Sequence, residues 1–455
     1  MIKRARDIIR WQRGGGLTIY LNPVLPRPLA VRAGSEIIDN LLSDKGTKYL
    51  SDPRLGDIIR ELKAHNLLID NESPPCSVEP SVGTDGEQHD VQIVLGHLSR
   101  QGVTPVVRAL TNIAAHMTTR KAQIIVGMEP AYEHVLTALE ALCAYFHPTG
   151  AVMRRKQPVA LGARVNPMQL TTDYATLCRR YGLGIEVACS VLELSPPQRE
   201  VIRALAEAGV IITVRNPLTA ANIAALDDIV GRAMDITRLG AVSIPCIRLD
   251  DCEDRDAWPA LIPEPGMYAE AIGRVYDNQD VPSRSCAQFQ EILGRFRGPN
   301  LARGCGILRG EIRALDEAGV CYPCAMYRLM VREQGPASSS VGLHSPRNLE
   351  VNPTLCKDCE SCNMLPICGA VCPAIGQLAP FGHCDEASAN AYCRAECAGR
   401  KAIIGRVVDE LAGLSEEAFT RTLSGRPITR KRVRVGASGE LKIGEVVSAI
   451  PRNQP

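Results

Sequence analysis

Cysteine is the residue type with the most chemistry to offer in this chain, and it is unevenly placed. Eleven of the 18 cysteines fall between Cys305 and Cys397. They run Cys305, then Cys321-Tyr-Pro-Cys324, then Cys356-x2-Cys359-x2-Cys362-x5-Cys368-x3-Cys372, then Cys384, Cys393 and Cys397. Thiolates two or three residues apart on turns can point inward together and share one metal centre. A run of this kind, preceded by a Cys-Tyr-Pro-Cys turn, predicts a metal-bearing domain. The stretch also has few large apolar side chains, so a metal cross-link is what would let it fold.

Composition decides what the thiols are for. The N-terminus, MIKRARDIIRWQRGGG, is basic with no apolar run behind it. Nowhere does the sequence reach the roughly 18–20 uninterrupted apolar residues of a bilayer span. It therefore reads as cytoplasmic, with no membrane partner. In a reducing compartment metal or redox chemistry is favoured over a disulfide framework. A formal net charge of +2 argues against nucleic acid as a partner. Hydrophobic residues make up 45% and aromatics only 4%, which implies an aliphatic α/β core. The scattered cysteines (Cys76, Cys143, Cys178, Cys189, Cys246, Cys252, Cys286) sit mostly in apolar segments such as EALCAYF and IEVACSV, as small buried hydrophobes do.

Three sets of elements must position the cysteine region. LTIYLNPVLPRPLAVRAG gives short strands broken by prolines, Ser35 is an N-cap, and DPRLGDIIRELKAHNLLID is an amphipathic helix with Leu55, Ile58, Ile59, Leu62 and Leu67 on one face. Together they predict a small winged-helix-like α+β domain. Pro74, Pro75 and SVEPSVGTDGEQHD then read as a linker. Next, the strand-like segments VQIVLGHL, KAQIIVGM, QPVALGARV, GIEVACSV, VIITVR and AVSIPCIRL alternate with helical ones. Repeated βαβ units predict a parallel sheet, and this many in series favour a partial or full β/α barrel. No GxGxxG follows the first strand, which removes the dinucleotide-binding reading. Behind the cysteines, KAIIGRVVDELAGL reads as a helix. SGRPITRKRVRVGASGELKIGEVV then reads as a basic strand pair turning at Gly436–Gly439, with Arg430–Arg434 as a solvated edge.

The N-terminal pattern resembles the precursor-recognition element of many peptide-maturing enzymes, in which a β-hairpin beside a helix takes up a leader peptide as an added strand. A helical cap on the next domain is the alternative. The strand series followed by the cysteine region resembles a radical S-adenosylmethionine (SAM) protein carrying a SPASM domain. Gly127-Met128-Glu129-Pro130, at the end of the second barrel strand, is similar to that family's Gly-Gly-Glu-Pro turn, which holds the amino group of SAM. Arg164-Val165-Asn166-Pro167 is similar to its Thr-Asn-Gly at the third strand end. Val214-Arg215-Asn216 with TAANIAALDDIV resembles its fifth strand and helix. The resemblance thus implies a SAM site at Gly127, Met128, Glu129, Pro130 and Asn166; taken singly, each stretch is also an ordinary turn or helix start.

The SPASM pattern is met at Cys305, Gly319-x4-Cys324, Cys359, Cys362, Cys368, Cys372 and Cys384. By resemblance these cysteines hold two auxiliary clusters, expected as [4Fe–4S]. Cluster I would use Cys305, Cys324 and Cys372, with Cys321 as the candidate fourth ligand, because Glu311 stands where many members have a cysteine. Cluster II would use Cys359, Cys362, Cys368 and Cys384. Cys356, Cys393 and Cys397 are surplus to the pattern. A zinc site is the alternative, since four-cysteine zinc sites also use x2 pairs.

One departure outweighs these matches. The family's catalytic cluster is held by Cys-x3-Cys-x2-Cys after the first strand, where this chain has Val94-Leu-Gly-His97-Leu-Ser-Arg-Gln-Gly102 and no cysteine. His97 alone does not hold a cluster. Without three thiolates no iron has an open position to bind SAM, so the site reads as vestigial and SAM as a doubtful cofactor. The expected organisation is a peptide-recognition domain (1–75), a linker (76–90), a degenerate radical SAM partial barrel (91–298), a SPASM iron–sulfur domain (299–400), and a C-terminal helix and strand pair (401–455). The expected function is that of a non-catalytic partner subunit in peptide modification, binding a precursor peptide, a catalytic radical SAM homologue, or both. The alternatives are a maturase with redox or substrate-binding chemistry at an auxiliary cluster, and a zinc-stabilised binding module.

Overall fold

The structure is a computed structural model, and it describes residues 2–4, 8–12, 18–22, 29–31, 34–43, 46–65, 67–70, 88–96, 98, 102–114, 118–127, 129–147, 159–237, 241–252, 254–277, 285–295, 312–332, 362, 364–368, 371–372, 374–375, 384–413, 430–435 and 441–445. Cys76, His97, Met128, Cys305, Glu311, Cys356, Cys359 and most of the linker lie outside these residues.

The N-terminal module contains β1 (Ile2–Arg4), β2 (Ile9–Gln12), β3 (Thr18–Leu21), β4 (Leu29–Val31), α1 (Ser35–Leu41), α2 (Gly56–Ala64) and β5 (Leu68–Asp70). Strands β2, β3 and β4 pair antiparallel in order, and β1 pairs with β5. Tyr20, Leu29, Val31, Ile38, Ile58 and Leu62 fill a core of its own. Two expectations shift here. Gly34, at φ 78°, takes the cap of α1 and Ser35 is the first helical residue; this left-handed backbone is the one glycine adopts without steric cost. The segment after α2 is also a strand rather than a continued helix. Its apolar residues find a partner in β1, and tertiary pairing of that kind overrides local helical pattern.

The barrel follows as β6 (Gln88–Leu95), α3 (Thr104–Ala114), β7 (Thr118–Val126), α4 (Tyr132–Phe146), β8 (Ala160–Val165), α5 (Tyr174–Tyr181), β9 (Gly184–Ala188), α6 (Pro196–Glu207), β10 (Ile212–Arg215), α7 (Leu226–Thr237) and β11 (Ala241–Ser243). All neighbours among β6–β11 pair parallel, in chain order. This is the partial (β/α) barrel that the alternating segments predict. Burial alternates along its strands: Ile93, Ile124, Ala163, Ile185 and Val214 are buried in the main core. Residues of the opposite parity, among them Gln92, Arg164, Glu186 and Arg215, look into the concave face.

After α8 (Trp258–Leu261), α9 (Pro265–Asp277) and α10 (Ala287–Arg295), the chain returns to the sheet. There β12 (Ile312–Asp316) lies parallel beside β6, and β13 (Cys321–Tyr322) pairs antiparallel with β12. The eight-stranded sheet therefore runs β11-β10-β9-β8-β7-β6-β12-β13. Then come α11 (Ala325–Arg332), α12 (Leu365–Cys368), α13 (Glu386–Gly413), β14 (Arg430–Val435) and β15 (Leu441–Glu445).

Helix α13 runs 28 residues, so KAIIGRVVDELAGL is only its last half and Cys393 and Cys397 sit one turn apart within it. It packs along α9 so closely that a Cβ at Gly399 would come 2.2 Å from the Tyr268 ring. Tyr268 is buried and donates its hydroxyl to the Ile244 carbonyl at 3.3 Å, which ties α9, against which the long helix packs, to the end of β11. The C-terminal strand pair forms as expected, but not as a solvated edge. Strand β14 lies inside a five-stranded sheet, β15-β14-β4-β3-β2, between its hairpin partner and the N-terminal module. The end of β14 at Arg430 and Lys431 pairs with β4, so that part of the strand has no free edge to protect.

Candidate functional site

In a β/α barrel the chemistry gathers at the carboxyl ends of the strands, so the site is built from there. At the end of β6, Gly96 donates its N–H to Glu317 Oε2 at 3.2 Å. Glu317 directly follows β12 and accepts Arg328 Nη2 at 3.3 and 3.4 Å. This pair is largely out of water, with side chains 10% and 13% exposed. A Cβ at Gly96 would lie 2.7 Å from Arg328 Nη2, so the guanidinium rests where any larger residue would have a side chain. Gln92, on the concave face of β6, accepts the N–H of Ala325 at 3.0 Å and pins the start of α11 to the barrel. An ion pair therefore stands beside the strand end to which the resemblance assigns three thiolates.

The neighbouring strand ends bring the expected SAM-turn residues together. Gly127 donates to the Leu95 carbonyl at 2.9 Å. Gln169 Nε2 donates to the carbonyls of Gly127 (2.7 Å) and Pro130 (3.1 Å). Its Oε1 accepts the Asn166 N–H at 3.2 Å, while Asn166 Oδ1 accepts the Met168 N–H at 2.9 Å. Gly127, Pro130 and Asn166 thus form one hydrogen-bonded unit, and Glu129 is exposed beside it. Helix α4 starts at Tyr132, after Ala131 as its cap, so Pro130 belongs to the turn and not to the helix. A carbonyl oxygen has two lone pairs, so the Gly127 carbonyl keeps capacity for an ammonium donor beside Gln169. Gln169 was not legible as a site residue. Its only sequence signal is the spacing Asn-x-x-Gln, a reciprocal cap.

Across the barrel the concave face carries a charge network. Arg164 on β8 donates to Glu186, its register partner on β9. Arg215 on β10 lies 3.8 Å from the same carboxylate oxygen and makes two parallel bonds to Asp251, at 2.5 and 2.9 Å. Arg248 grips Asp250 with a second fork, at 2.7 and 2.5 Å, and its backbone N–H reaches Asp251 at 3.1 Å. Arg215 and Asp251 are 4% and 7% exposed, respectively. Burial pushes the Asp251 carboxyl up, but Arg215, then Arg248 and Arg164, outweigh it and hold the carboxyl below its usual value. For Arg164 burial leads, reinforced by Arg215, and its pKa is lowered. Three guanidiniums face three carboxylates, so the network neutralises itself. Asn216, buried next to Arg215, accepts the Val191 N–H at 2.8 Å and so holds the turn after the preceding strand, β9.

Of the eight expected cluster ligands, Cys321, Cys324, Cys362, Cys368, Cys372 and Cys384 are described. Cys321 is on β13 and Cys324 is buried at the start of α11, both on the hairpin unit that β12 joins to the barrel. Cys368 ends α12, and its carbonyl accepts Arg400 Nη1 from α13 at 3.0 Å. Cys384 lies two residues before α13. Among the described residues no three His, Cys, Asp or Glu side chains converge as a metal-ligand set. The donor chemistry itself, thiolate throughout, suits iron–sulfur groups. Outside the cluster region Cys143, Cys178, Cys246 and Cys286 are buried, as expected of small hydrophobes. Burial pushes the Cys143 and Cys178 thiols up to about 12. Cys246 is also pushed up, by burial and then by Glu396, Asp251 and Cys393, so the surplus Cys393 lies near a barrel thiol.

No protein-family model and no curated protein matches the chain. Solved structures do. Polyhistidine-tagged anSMEcpe with bound AdoMet aligns at a TM-score of 0.50 and 9% identity, over 74% of this chain and 98% of its own. The fold is that of the radical SAM, SPASM-type maturases. Native anSMEcpe with bound AdoMet and Cp18Cys peptide aligns at a TM-score of 0.48 and 9% identity, over 71% of this chain and 99% of its own. Streptococcus suis SuiB aligns at 0.44 and 11% identity, over 82% of this chain and 96% of its own. Among the described residues, no helix is long and apolar enough to cross a membrane.

Proposed function

We propose that this chain is a non-catalytic radical SAM–SPASM subunit that works beside a catalytic homologue in peptide or protein modification. The observation that carries the reading is the end of β6: it has no thiolate, and the buried Arg328–Glu317 pair rests against Gly96. The self-neutralised network at the far strand ends supports the same reading, because it offers no uncompensated charge to a reacting group. Cys305, Cys321, Cys324 and Cys372 would hold one iron–sulfur group, and Cys359, Cys362, Cys368 and Cys384 a second. Such groups, when bound, brace a loop-rich domain and pass single electrons. The protein's own residues do the rest: Gln92 and Glu317 anchor the cysteine-bearing hairpin unit to the barrel, and Arg400 holds the Cys368 carbonyl against α13. The N-terminal module binds the precursor peptide, and the protein is cytoplasmic.

The test is capture of the tagged chain from its native extract under anaerobic conditions. A second chain carrying Cys-x3-Cys-x2-Cys should co-purify in a stable complex. A lone monomer in that extract, or production of 5′-deoxyadenosine by the isolated chain supplied with SAM and reductant, contradicts the proposal.

A further inference from the structure

The N-terminal module builds three strands in one sheet, β2, β3 and β4, and would by itself present β4 as an outer strand. An outer strand shows a row of unpaired backbone N–H and C=O groups, which is a template for an incoming extended segment. Here that edge is taken by the protein's own distant C-terminus. Strand β14 lies parallel to β4 through two residue pairs, Arg430 with Ala30 and Lys431 with Val31. Its other side pairs antiparallel with β15 over five residues, Lys431–Val435. Helix α2 lies alongside β15.

We propose that the β14–β15 hairpin is an internal occupant of the strand-accepting edge at β4, and that it must withdraw before an extended peptide can pair there. This rests on the reading of the N-terminal module as a peptide binder. Three features make the occupant displaceable. An isolated two-stranded hairpin is marginal in water and depends on a neighbour. The join to β4 is short, and parallel pairing is the weaker kind per residue. The hairpin is also tethered to the same chain, so it returns at high effective concentration when the edge is vacated. A peptide that pairs with more of β4, or antiparallel to it, would compete with the hairpin.

Val433 pairs with Ile443 of β15, and proline within a paired strand disrupts its ladder, so Val433→Pro in the full chain should break the hairpin and free the edge. The probe is a fluorescein-labelled synthetic peptide with the sequence of residues 430–445, titrated by anisotropy. Wild type should bind it at least about tenfold more weakly than Val433→Pro, since only the open fraction is competent. Ile443→Pro, which breaks the hairpin from the β15 side, should behave alike. Hydrogen exchange of the α2 amides should stay slow in both variants, showing that the module is folded, while the Leu29–Val31 amides exchange faster and slow again with the probe. Equal binding by wild type and variants overturns the gate and leaves peptide recognition standing. No binding by folded variants overturns both the gate and recognition at this edge.

Discussion

The two sides of the barrel mouth are closed in different ways. At the end of β6 a single ion pair, Arg328–Glu317, is brought in from the hairpin unit and leans on a glycine. At the ends of β8–β10 and in the loop after β11, three arginines and three carboxylates interlock within the barrel's own strands and loop. The first closure depends on a long-range docking; the second is written into strand register, as Arg164 opposite Glu186 shows. The difference teaches that one barrel can hold its strand ends together in two ways, by an ion pair docked from a distant element and by charges placed in register on its own strands. One side is plugged from outside the barrel, the other braced from inside.

Single substitutions separate the two closures. Asp251→Ala leaves the buried Arg215 guanidinium without its bidentate partner. Stranding a buried charge costs about 3–5 kcal/mol, so denaturant unfolding should show a loss of that size. Arg328→Ala removes a charged donor from the plug but leaves Glu317 bonded to the Gly96 N–H. The expected loss is about 2 kcal/mol, the scale of a charge-assisted hydrogen bond. If Arg328→Ala costs as much as Asp251→Ala, the plug is as integral as the network and the contrast disappears.

A smaller effect appears only in alkali. The Cys143 and Cys178 thiols are pushed up to about 12 by burial, against an ordinary value near 9.0. Below pH 9 they are protonated in both folded and unfolded chains, and their contribution to stability is fully present. As pH rises from 9 toward 12 the unfolded thiols ionise first, and that stability is lost. The loss is about 1.4 kcal/mol per thiol at pH 10, and the Cys143→Ala variant should show a shallower decline in urea midpoint between pH 8 and pH 10. An equally steep decline would mean that Cys143 takes no part in it.

The parallel series was legible because each strand of the barrel is a short apolar run between amphipathic helices. Gly127 and Asn166 could be placed together because each directly follows a strand and strand ends converge, and Pro130 lies three residues beyond Gly127. Arg164, Glu186 and Arg215 were readable in principle: each breaks an apolar strand at the parity opposite to its buried neighbours. Their pairing was not readable, because strand parity says which face a charge takes, not what it meets there. Arg328 and Glu317 gave no such signal, since nothing local brings α11 onto Gly96. The same holds for β14, about 400 residues along the chain from β4, whose basic sequence suits a solvated edge until its partner is known. Cys393 and Cys397, surplus to the cysteine pattern, lie on the long helix that Gly399 packs against Tyr268.

The central claim is that iron belongs to the cysteine-rich region and not to the barrel, and metal stoichiometry tests it most directly. Iron and acid-labile sulfide should be measured per chain in protein purified from its native extract without oxygen. The account predicts about eight iron atoms for this chain, as two [4Fe–4S] groups require. About twelve, implying a third cluster in the barrel, or zinc in place of iron, would contradict it.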